Sequence, residues 1–417
     1  MRRGGLVSPY DGLLVLWVVL LGADRVSLLD SVVPFVMTPF LALTPLVIAS
    51  EWLRHAAQGG RIMVSRPALG YAAVAAALVA VVLASASMSA DPTTSAARAA
   101  LFVAQIGGTF VVAVMAADRE DFAGLLARAA IAGIAAFAAF DVLSLAAWVG
   151  AIPGTVHLGT IAVNLEPSTY ARFIPRLSGP VADPNRTGWV LLFMMYLIAL
   201  RERHTTIHRI AMAVAIALML LTLSRSASAA VVATVLALAI GGRPKRLPVN
   251  SLVAYAVATA ALLTVLLVTP HSTTPNLSTF APVAERFSVA QGSALDHFQL
   301  LRRGVDEATS SVPRVLFGLG FGSSYLTLQD MFPGDRYGNF HSLYVSMFAE
   351  AGVFALILSL VLLGWPLVRG GPYRALVLGA AVFSVFYQAT TEPAFWLALA
   401  LAWIFVRRMP TTARALD

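Results

Sequence analysis

Residues 209–241 read RIAMAVAIALMLLTLSRSASAAVVATVLALAIG, two apolar runs (209–224 and 226–241) joined at Ser224-Arg225-Ser226. A bilayer core takes roughly 20 mostly apolar residues per helix. Each run is therefore a short crossing, and the polar residues between them must turn tightly at one membrane surface. An arginine in such a turn is unusual. Outward from it, the same alternation recurs along the chain and marks twelve apolar segments: 6–23, 31–50, 68–88, 98–117, 128–150, 186–200, 209–224, 226–241, 250–269, 341–365, 375–390 and 391–406. The pattern predicts an all-α polytopic membrane protein of about twelve transmembrane helices, a single membrane domain over 1–417 with one long outer loop at 270–340. Composition agrees. The chain of 417 residues is 59% hydrophobic and 12% charged, with mean hydropathy +0.80, which is more apolar surface than a soluble core of that length can enclose.

The formal charge of +8 does not indicate nucleic acid, because the basic residues sit singly or in pairs between apolar runs instead of along one face. They read as topology signals. With the N-terminus in the cytoplasm, 18 of the 29 basic residues fall in inside segments, among them Arg54, Arg119, Arg128 and Arg201, as the positive-inside rule requires. Both termini are then cytoplasmic, and the first apolar run reads as a retained span, since no small-residue cleavage site follows it. The chain has no cysteine, which excludes disulfides, thiolate metal sites and a cysteine nucleophile.

Eleven arginines remain for the outer face: Arg25, Arg98, Arg172, Arg176, Arg186, Arg225, Arg286, Arg302, Arg303, Arg314 and Arg336. Held there against the topology bias, they point to an anionic ligand, and a planar guanidinium suits phosphate because it binds bidentately. Loops longer than about 60 residues translocate whatever their charge, so topology alone is the competing explanation. Within the long loop, Leu295, Phe298, Leu301 and Val305 recur at helical spacing and predict a surface helix over 293–309. A glycine-rich turn follows at Phe317-Gly318-Leu319-Gly320-Phe321-Gly322, where backbone can approach a ligand or another helix. His341 stands where the polar segment 335–339 meets the next span, a position for a general base at the membrane boundary or for a plain interfacial histidine. Glu350, inside that span, and Asp141, in the fifth, read as paired structural carboxyls. Glu392 reads as a second base or an arginine's partner.

Three segments carry a resemblance. Arg176-Leu177-Ser178-Gly179-Pro180 precedes Asp183-Pro184-Asn185; Thr222-Leu223-Ser224-Arg225-Ser226-Ala227 forms the turn; the glycine-rich stretch 317–322 is followed by His341-Ser342-Leu343 and Glu350-Ala351-Gly352. In order and placement these resemble the O-antigen ligase and polymerase superfamily of bacterial surface-polysaccharide enzymes, over about residues 170–365. Two positions depart from the family pattern. Ser342 follows the histidine where asparagine is common, and Leu295-Asp296-His297-Phe298 stands where the loop helix usually has an arginine before an aromatic.

The resemblance implies a membrane-embedded glycosyltransferase fold of the C type in the bacterial inner membrane. It implies transfer of a glycan from an undecaprenyl-diphosphate carrier to a sugar hydroxyl of lipid A core, or of another glycan, at the periplasmic face. His341 would be the general base and Arg225 the cation that stabilises the diphosphate leaving group, with Arg286, Arg302, Arg303, Arg176 and Asn185 binding substrate. Direct attack would invert the anomeric centre, and no metal or cofactor is expected. The single compact outer loop favours a ligase over a polymerase of the same superfamily. A lipid-linked oligosaccharide flippase or transporter would instead carry charges within spans and a repeat between chain halves; few of the former are seen and no clear repeat.

Overall fold

The computed structural model describes residues 9–29, 37–60, 62–170, 174–201, 205–240, 293–335 and 338–406. The expected ninth span and Arg286 lie outside the described residues. The other eleven expected spans each meet one helix. These are α1 (Pro9–Val19), α2 (Pro39–Ala57), α3 (Arg66–Ser87), α4 (Pro92–Ala116), α5 (Phe122–Trp148), α6 (Pro184–Ala199), α7 (Thr206–Leu221), α8 (Arg225–Ile240), α12 (Leu343–Arg369), α13 (Arg374–Phe386) and α14 (Pro393–Ile404). Between α8 and α12, the described part of the outer loop contributes α9 (Ser293–Thr309), α10 (Val312–Phe317) and α11 (Ser324–Thr327). Among the described residues, four helices, α3, α4, α5 and α12, are long and apolar enough to cross a membrane by length and composition. The chain is a helical membrane protein.

The helices start where the sequence supplies caps. Thr38, Ser65, Asp91 and Asp183 each accept a hydrogen bond from a first-turn amide, and each is followed by proline in the first turn. Proline costs nothing there, because the first amides have no helical partner. Two small sheets depart from the all-α expectation. β1 (Val26–Ser27), β2 (Thr155–Leu158) and β3 (Ile161–Asn164) form one in the order β1-β3-β2, and β4 (Ser168–Tyr170) pairs with β5 (Ile174–Arg176) in the other, all antiparallel. Strands of two to four residues are too short for an alternating pattern to register in the sequence.

Helices α6 and α14 form the middle of the bundle, buried along nearly their whole length. Trp189 of α6 stacks on Phe383 of α13 with ring centroids 5.4 Å apart. Gly188 lets α6 and α8 meet closely, for a Cβ there would overlap that of Ala227. Small residues at such a contact are how membrane helices bring their backbones together.

Charge sorts to the two ends of the bundle. At one end Arg54 donates to Glu51 (2.9 Å) and Asp118 (2.7 Å), Arg201 donates to Asp121 (2.8 Å), and Arg119 pairs with Asp11 and Glu51. A cavity of about 760 Å³ opens among Tyr10, Asp11, Arg54, Asp118, Arg119 and Arg128. The other end holds Arg25, Arg98, Arg176, Arg186 and Arg225, with the N-termini of α6, α8, α12 and α14.

Candidate active site

The α7–α8 connection is the tight turn expected from the sequence. Helix α7 stops at Leu221, Leu223 takes a left-handed φ of 50°, and α8 begins at Arg225. Ser224 fixes the start of α8, its Oγ accepting from the Ala227 amide at 3.2 Å. The same hydroxyl donates to Asn185 Oδ1 at 3.0 Å, which joins the turn to the first residues of α6. Asp183 caps α6 by accepting from the Asn185 amide at 2.6 Å. Arg176, at the end of β5, donates from Nε to the Thr222 carbonyl at 3.0 Å, and the Leu177 amide donates to the Leu221 carbonyl at 3.3 Å. Arg176, Asn185 and Arg225 are thus gathered around one turn, with Arg225 half-buried.

Burial pushes the Arg176 guanidinium below the usual arginine range; Asp183 opposes this and Arg225 adds to it. Its Nη2 is buried without a hydrogen-bond partner. Two neighbouring cations, one with an unused donor, form a place where an anion is favoured. The N-termini of α6 and α8, joined there through Ser224 and Asn185, add to that field.

His341 precedes α12 and has a left-handed φ of 51°. Its amide donates to Asn339 Oδ1 at 2.8 Å; the Leu343 amide donates to the Tyr387 carbonyl at 3.1 Å, and Ser342 Oγ to the Ser384 carbonyl at 3.2 Å. Ser342, where the family pattern has asparagine, is therefore a tether to the end of α13. Burial lowers the His341 pKa from its ordinary value, and Asp183 partly opposes that shift. Desolvation thus disfavours the protonated ring, as suits a base. Its Nδ1 is buried and without a hydrogen-bond partner. The Asp183 carboxylate acts electrostatically on both Arg176 and His341.

Other residues singled out in the sequence are placed elsewhere. Arg302 and Arg303 lie on the outer side of α9, paired with Asp306 (3.7 Å) and Glu307 (3.3 Å). Arg303 also reaches Asp330 at 3.8 Å. The structure does not bring either one to His341. Arg314 bonds Glu307 at 2.6 Å, and Arg98 donates to the Gly322 carbonyl at 2.6 Å. Arg186 is held in a buried pair with Glu392 at 2.6 Å and with Asp24, so Glu392 is an arginine's partner. Asp141 accepts from the Gly179 amide at 2.7 Å.

The glycine-rich turn approaches a helix. Leu319 and Gly320 amides donate to the Ala349 and Glu350 carbonyls of α12 at 2.8 and 3.0 Å, and the Gly322 amide donates to Glu350 Oε2 at 3.1 Å. Helix α12 is broken at Gly352 (φ 80°), where a Cβ would overlap the Leu316 carbonyl.

His297 and Asp183 were not assigned roles from the sequence. The signal for His297 was present, since it occupies the position where the family pattern has an arginine. The ring of His297 lies edge-to-face on His341, centroids 4.4 Å apart.

Residues 210–360, from α7 through most of α12, match the family model described as O-antigen ligase. Over these residues the chain is similar to the O-antigen ligase family, which supports the resemblance to that superfamily. The match takes in Arg225, His297, His341 and the glycine-rich turn. Arg176 and Asn185, which hydrogen-bond to the α7–α8 turn, lie before it. No curated protein matches the chain.

Proposed function

We propose that the protein is a metal-independent, inverting glycosyltransferase. It moves a glycan from undecaprenyl diphosphate to a sugar hydroxyl of lipid A core at the periplasmic face of the inner membrane. His341 takes the proton of the attacking hydroxyl as its oxygen bonds to the anomeric carbon. The diphosphate leaves with the electron pair of the broken bond, and Arg225 and Arg176 stabilise the charge it gains. In a partly dehydrated site, fixed cations are effective because they need no reorganisation during reaction. Asn185 holds the turn that aims Arg225. Membrane lipids surround the domain, and the C-type glycosyltransferase architecture is part of this reading.

The observation that carries it is that Leu223 and His341, the two non-glycine residues with left-handed backbone among the described residues, flank the site. Such conformations are uncommon and cluster where the surrounding structure enforces a functional geometry. A polymerase of the same superfamily would use the same groups on a different acceptor. Purified protein supplied with lipid-linked glycan and lipid A core, in chelator, decides between them. Glycosylated core is the expected product, elongated carrier would identify a polymerase, and no transfer with either acceptor would overturn the proposal.

A further inference from the structure

Helix α9 packs on the start of α12 through Leu300 and Ala308, which join Phe340 and Ala349 in one cluster. Between them Gly304 lets the helices meet, for a Cβ there would press on the Phe340 ring at 2.8 Å. His297 lies three residues before Leu300, on the same side of the helix. That packing carries its ring onto His341, edge to face, with planes at 76°. The loop helix thus delivers an imidazole to the imidazole that serves as base.

The charged groups around His341 come from several elements. Asp183 at the cap of α6 opposes its lowered pKa electrostatically, and the same carboxylate acts on Arg176, which also feels Arg225. Tyr387 lies at the end of α13, and Glu392 before α14 is engaged by Arg186. On its own segment Asp335 lies six residues earlier, and on α9 Arg302 and Arg303 are turned outward to acidic partners. In direct ring contact is His297.

We infer that His297 is a positioning residue for His341 and that the two rings titrate as one unit, so that the loop helix sets the pH at which the base is available. The inference rests on His341 being the base. Two imidazolium ions at this separation repel strongly, so the pair takes up one proton well before a second. A proton held on His297 leaves His341 neutral and able to accept the hydroxyl's proton.

His297→Phe keeps the ring and removes the titrating group. The acid limb of its kcat profile should move up by on the order of one pH unit. His297→Lys, with a fixed cation, should instead hold the limb near the parent's position, a contrast with His297→Phe that a purely structural role would not give. Titration of the His341 resonances by NMR in the full-length protein in detergent reads the same shifts without turnover, and His297→Gln substitutes for the phenylalanine variant if that one does not assemble. If the limb and the His341 titration are unchanged in His297→Phe while His341→Ala is inactive, the coupling is overturned. If His341→Ala stays active, the base assignment itself falls.

Discussion

His341 holds a left-handed backbone that a histidine adopts at a cost of roughly 1–3 kcal/mol, and its neighbours are arranged to enforce it. Removing the side chain leaves that scaffold in place, because the restraints run through the backbone of 341–343. His341→Ala is therefore expected to express and fold normally and to lose transfer activity by at least about 100-fold; full activity in that variant would end the base assignment. Since burial lowers the His341 pKa from 6.5, activity at neutral pH should persist on mild acidification and fall once pH passes below that lowered value. Stability follows the same sign. The unfolded chain takes up the proton at the ordinary value before the folded ring does, so acid below about 6.5 favours unfolding. A pH series of thermal unfolding, compared between parent and His341→Ala, reads this contribution. Arg225→Lys keeps the charge and loses the fork, and a loss of about 100-fold or more in kcat is expected; activity near the parent's would remove Arg225 from the leaving-group role.

At the scale of elements, the break in α12 is the most demanding local feature. Gly352 has φ 80° and ψ −178° with the Leu316 carbonyl against it, a conformation essentially reserved for glycine. Gly352→Ala should destabilise the fold by roughly 2 kcal/mol or more, read as a lowered unfolding temperature in detergent; an unchanged midpoint would mean that α12 runs through in solution. The elements differ in how far the sequence disclosed them. Helices α3, α4 and α5 were legible because the apolar runs 68–88, 98–117 and 128–150 are each long enough to cross a bilayer. The turn at Ser224 was legible because two helices cannot be joined there in another way. The sheet of β1, β2 and β3 was not, since Val26 pairs with Val163 across more than a hundred residues. The pairing of Arg302 and Arg303 with Asp306 and Glu307 was likewise not legible. Helical spacing shows that α9 has an apolar side, but which of its polar residues approaches the base depends on its docking through Gly304 onto Phe340.

For the whole molecule, the expected orientation puts the Arg54, Arg119 and Arg201 network toward the cytoplasm and His341 toward the periplasm. The absence of native cysteine makes this directly measurable. In intact cells stripped of the outer membrane, a single cysteine at Arg302 should react with an impermeant thiol reagent, and one at Glu120 should react only after lysis; the reverse pattern would invert the topology and remove the periplasmic reaction with it. The carbonyls of Ala349 and Glu350, freed by the break in α12, are occupied by amides of the segment 317–322. That segment is consequently part of the wall of the transmembrane body and cannot be exchanged as an independent module. A chimera that transplants the outer segment from a relative must bring the matching Glu-Ala-Gly piece of the following span, or it will strand polar backbone where no water can reach it.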